Sequence, residues 1–128
     1  MSNARDILAL FELASTSLSE ALPQLWEALE LAKRDGNTTR AHAISDGLVS
    51  LLIHHAVELD KAERLAVELV NSMPDKFHLD LLARVLALRG DTDRRIDTEK
   101  RVSAAPDKHD SQRLRQIRER VYKRYVKS

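Results

Sequence analysis

An all-α fold is what this sequence predicts, on three observations. Apolar residues recur at helical period in seven successive segments. Only three Gly and three Pro interrupt 128 residues, and Leu and Ala are abundant. Aromatic residues make up 4% of the chain, which argues against a β-sandwich or barrel and for packed helices.

The length suffices to bury a core, and no Gly/Ser-rich or Pro-rich linker divides the chain, so a single helical domain over residues 1–128 is expected. With no cysteine there is no disulfide framework and no thiolate site, which fits a reducing, cytoplasmic setting. The apolar run Ile7 to Leu13 is too short and too interrupted for a signal peptide, and no window approaches a membrane span.

Ser2 or Asn3 can cap a first helix, about Ala4 to Ala14, with Ile7, Leu8, Phe11 and Ala14 on one face. Ser15-Thr16-Ser17 breaks it. A second helix, about Ser19 to Arg34, tolerates Pro23 in its first turns and turns Leu22, Leu25, Trp26, Leu29 and Ala32 inward, ending at Asp35-Gly36-Asn37. A third begins at Thr38 or Thr39, runs to about Leu59, and should be largely buried through Ala41, Ile44, Leu48, Leu51, Leu52 and Val57. Within it Asp46-Gly47 reads as a close-packing glycine. Asp60 can cap a fourth helix with Leu65, Ala66, Leu69 and Val70 inward, ended by Met73-Pro74-Asp75.

From Leu79 to Pro106 the chain forms a hairpin with its own punctuation. Leu79, Leu82, Val85 and Leu86 make one stripe, Gly90 stops the first helix, and Asp91 or Thr92 opens a second that carries Ile96, Val102 and Ala105. A last helix, about Asp110 to Val126, places Leu114, Ile117, Val121 and Tyr125 on one side. About three stacked antiparallel hairpins plus a C-terminal capping helix is the economical arrangement. A closed helix bundle is the alternative, because both bury one stripe per helix.

The hairpin resembles a tetratricopeptide repeat, a unit of two antiparallel helices. Leu79, Leu82, Ala83 and Leu86 stand where that family keeps large and small residues, and Gly90-Asp91 and Pro106 match its turn and its close; Arg95 departs from the small residue favoured there. Pro74-Asp75-Lys76 returns 32 residues later as Pro106-Asp107-Lys108, close to the family's period. The resemblance implies a small α-solenoid working as an adaptor or chaperone, its concave groove holding a peptide or helix of a partner protein. From family geometry, His42, Asp46, His78, Leu82 and Arg89 are the candidate groove positions.

Motifs of chemistry are scarce. The spacing of His54 and Glu58 puts them on one face of a helix, a pair able to touch a divalent metal, but two ligands with no His-Glu-x-x-His do not make a site. Glycines at 36, 47 and 90 give neither a P-loop nor a dinucleotide fingerprint, and no Gly-x-Ser-x-Gly elbow is present. No enzyme, metal or cofactor is expected.

Charge divides the chain. Met1 to Leu88 holds 8 basic and 13 acidic residues, while Arg89 to Ser128 holds 13 and 7. The cations Arg113, Arg115, Arg118, Arg120, Lys123, Arg124 and Lys127, interleaved with Tyr122 and Tyr125, could face an acidic partner or nucleic acid. They also suit the solvated face of a terminal cap. Two readings therefore stand beside the adaptor: a nucleic-acid-binding helical protein, and a subunit of a larger obligate assembly.

Overall fold

The computed structural model describes residues 4–105, with side-chain surroundings from residue 8 onward. Six helices follow in order: α1 (Ala4–Ala14), α2 (Leu18–Arg34), α3 (Thr38–His55), α4 (Leu59–Ser72), α5 (Lys76–Leu88) and α6 (Thr92–Ala104). No strand occurs among the described residues. The caps Ser2 and Asn3 and the last helix, with its seven cations from Arg113 to Lys127, lie outside them.

Three of the turns share one device. After α2, the Gly36 amide donates to Lys33 O and the Asn37 amide to Ala32 O; after α5, Gly90 and Asp91 donate likewise to Ala87 O and Leu86 O. These paired bonds satisfy carbonyls left open at a helix end, provided the middle residue is left-handed. Gly36 and Gly90 meet that need at φ +70° and +75°, with open space around them. Asn37 and Asp91 then cap the following helices, their side chains accepting from the Arg40 and Arg94 amides.

The third such turn has no glycine. Ala56, at φ 53°, donates to Ile53 O while Val57 donates to Leu52 O, so α3 ends at His55 rather than near Leu59. Glu58 is also left-handed, at φ 49°, and α4 starts at Leu59 without a side-chain cap, in place of the expected Asp60 cap. Pro23 sits deeper in α2 than its first turn and removes one bond, to the carbonyl of exposed Ser19, which water can satisfy.

The core is centred on α3, buried at every position from Ala43 to Leu52. Small residues make this possible: the Phe11 ring of α1 lies where a Cβ on Gly47 would stand. Each helix packs its backbone against its sequence neighbours, and α3 also against α1 and α5; among the described residues the other helix pairs meet only through side chains, as α2 and α4 do at Lys33–Glu68 and α4 and α6 at Glu63–Arg94. Leu22, Leu25 and Leu29 of α2, Leu65 and Leu69 of α4, and Leu79, Leu82 and Leu86 of α5 complete one continuous apolar cluster.

Candidate functional site

Pro74 stops α4, and the next residue, Asp75, caps α5 by accepting from the His78 amide at 3.0 Å. That geometry turns the His78 ring inward. Its Nδ1 lies 2.8 Å from Asp75 Oδ1 and 3.0 Å from Met73 O, and its Nε2 lies 2.8 Å from Asp46 Oδ1 of α3. All three side chains are buried, His78 completely. Burial pulls the imidazole toward its neutral form, but hydrogen bonds to Asp46 and then Asp75 outweigh it and raise the pKa to about 9. An imidazolium donating from both nitrogens therefore ties α3 to the head of α5.

This cluster is almost wholly shielded from solvent, so it works as an internal clamp. A buried charge held this way fixes one arrangement of the helices, because losing either partner strands the other. Asp46 stands alone as a charge in the most apolar stretch of the sequence, and Asp75 stands three residues before His78. Those were the available signals, and the expected groove placed Asp46 and His78 at its surface, whereas both are buried.

The candidate groove positions separate accordingly. Asp46, His78 and Leu82 are inside the core, where no partner can reach them. His42 is half-buried. Arg89 is exposed and donates to Glu63 Oε1 of α4 at 3.0 Å, while Arg94 of α6 donates to Glu63 Oε2, also at 3.0 Å. His54 and Glu58 are not brought together as a helical pair, because α3 ends between them. Glu58 instead accepts from Trp26 Nε1 at 3.1 Å, and the His54 and His55 rings meet edge to face at 4.8 Å. Among the described residues, no group of three or more His, Asp or Glu is placed to hold a metal ion.

Two recesses open on the side of α2 and α4. One, about 410 Å³, lies between these helices over Trp26, Leu29 and Leu65, with Glu30, Lys61 and Arg64 around it. The Lys61 ammonium sits 5.6 Å from the centre of the Trp26 ring. The other, about 240 Å³, lies at the head of α3 and is lined by His42 and Ser45. Lys33 and Glu68 line both and bridge α2 to α4 at 3.2 Å.

No protein-family model, curated protein or solved structure matches this chain. Among the described residues no helix is long and apolar enough to cross a membrane.

Proposed function

We propose that this protein is a non-enzymatic helical-repeat adaptor that holds a helix or extended peptide of a partner protein. The observation that carries the reading is a recurrent register between successive hairpins. Beside a shorter contact of 26 residues between Glu63 and Arg89, polar contacts from one hairpin to the next join Trp26 to Glu58, Asp46 to His78, Lys33 to Glu68 and Glu63 to Arg94, at separations of 32, 32, 35 and 31 residues. That spacing is the length of a tetratricopeptide unit, and the absence of contact between α1 and α5 or α6 among the described residues favours an open stack over a closed bundle.

The partner's place differs from the family's concave groove, since α3 has no free face. The recess between α2 and α4 is the better seat. It offers an aromatic and aliphatic floor, which suits the anchor residues of an amphipathic helix. Glu30 and Arg64 stand on opposite walls, each exposed and without a partner among the described residues, so the bound segment should present both a basic and an acidic side chain beside its apolar anchor. An adaptor also accounts for the strongest ionisable cluster being turned entirely inward.

The test is a pull-down from the native cell with the wild type and with Glu30→Arg and Arg64→Glu. Both positions are exposed, so the variants should melt like the wild type. A specific partner captured by the wild type and lost with either reversal is the expected outcome. A partner set unchanged by both reversals would place recognition elsewhere.

A further inference from the structure

The recess at the head of α3 holds a polar group that the fold leaves unsatisfied. Ser45 is 5% exposed and lines this recess, and its hydroxyl has no hydrogen-bond partner among the described residues. Ser50, buried on the same helix, shows the ordinary solution: its hydroxyl donates to Asp46 O, one turn back, at 2.9 Å. A buried hydroxyl left without a partner is disfavoured by the fold, and its position in a recess gives it a reason.

The surroundings name the chemistry. The recess opens at the N-terminus of the 18-residue α3, where helix dipoles favour negative charge. Thr38 and Asn37 line it there, and the Thr39 amide beside them has no partner among the described residues. Lys33 stands at the rim, half-exposed and able to swing from Glu68 toward a bound group. His42 and Ser72 add further polar atoms. A volume of about 240 Å³ is below the range of roughly 300–1,000 Å³ common for whole small-molecule ligands, so the space suits a single small group.

We propose that this recess binds a small oxyanion, the phosphate or carboxylate group of a ligand. Ser45 donates to it from below, Lys33 neutralises it at the rim, and the first turn of α3 supplies the positive end of a helix. Glu68 is the one acidic side chain lining the recess, and it opposes the anion. The site does not depend on the adaptor reading: Lys33 and Glu68 line both recesses, but Ser45 and the first turn of α3 belong to this one alone.

The test is an amide-resolved NMR titration of the full chain with inorganic phosphate, with O-phosphoserine and with acetate. These arms separate free phosphate, an attached phosphate and a carboxylate. Saturable shifts centred on Thr38, Thr39 and Ser45 with at least one anion are expected. Ser45→Ala should weaken that binding about ten-fold, as loss of one hydrogen bond to a charged group does. Lys33→Gln, at an exposed position that leaves the core intact, should weaken it as well, and Glu68→Gln should tighten it. The proposal fails if no arm saturates by about 100 mM, far above a millimolar dissociation constant. It also fails if the shifts survive Ser45→Ala and Lys33→Gln unchanged, or if Glu68→Gln weakens binding.

Discussion

Raising the pH should loosen this protein as buried His78 gives up its proton. His78 has an ordinary pKa of 6.5 in the unfolded chain and about 9 in the fold. A group whose pKa is higher in the folded state binds protons more tightly there, so its contribution is complete below pH 6.5 and is lost as pH climbs through about 9. At about 1.4 kcal/mol for each ten-fold change in proton affinity, the loss amounts to about 3 kcal/mol. In a chain of this size that lowers the melting temperature on the order of 10 °C. Urea or thermal melts at pH 6, 7, 8, 9 and 10 would follow it. The His78→Gln variant, already destabilised because it leaves two buried carboxylates facing a neutral amide, should be nearly flat over the same window. The control reading is the imidazole itself, whose NMR signal should titrate near pH 9. Wild-type stability that stays level or rises between pH 7 and 9.5, or a His78 signal that titrates at or below 6.5, would refute the clamp.

Gly47→Ala should destabilise by about 1–3 kcal/mol, because its new methyl meets the Phe11 ring, and pairing it with Phe11→Leu should recover part of the loss in the same melts. Ala56→Gly should do the reverse and stabilise by up to about 1 kcal/mol by relieving a left-handed alanine, seen as a shift in urea midpoint with unchanged slope. Leu86→Asp, at a site 1% exposed, should unfold the domain or cost several kcal/mol, and a wild-type circular-dichroism melt would remove α5 from the core. Glu63→Gln should cost at most about 1 kcal/mol, since Arg89 and Arg94 are largely solvated, and the difference should shrink in high salt.

The helices themselves were legible wherever the chain carries its own punctuation. Gly36 and Gly90 announce left-handed turns, Asp91 announces the cap of α6, and the apolar stripes assign the buried faces of α1 to α5, whereas Ile96 of α6 is exposed and Asn37 was read only as part of the stop after α2. The α3–α4 turn was not legible, because Ala56 and Glu58 adopt a backbone that alanine and glutamate rarely take, and what holds them there is tertiary. Glu58 is held by Trp26 from another hairpin, and Val57 by the core. The same limit hid the clamp. Asp46 and His78 are 32 positions apart, and only the stacking of α3 on α5 makes an internal ion pair of two residues that read separately as surface ones. Ser45 is a harder case still, since its meaning lies in a partner it lacks.

The register between hairpins also governs how quickly this chain can find its fold. Among the described residues no helix touches another more than two places along, so no contact there has to wait for a long loop to close. Proteins wired so locally fold on microsecond to millisecond timescales. The order of events should follow the wiring, with α3 at its centre as the helix that touches α1, α2, α4 and α5. Among the described residues α6 packs its backbone against α5 alone and reaches α4 only through the Arg94–Glu63 ion pair, so native-state hydrogen exchange should find α6 opening first and α3 last.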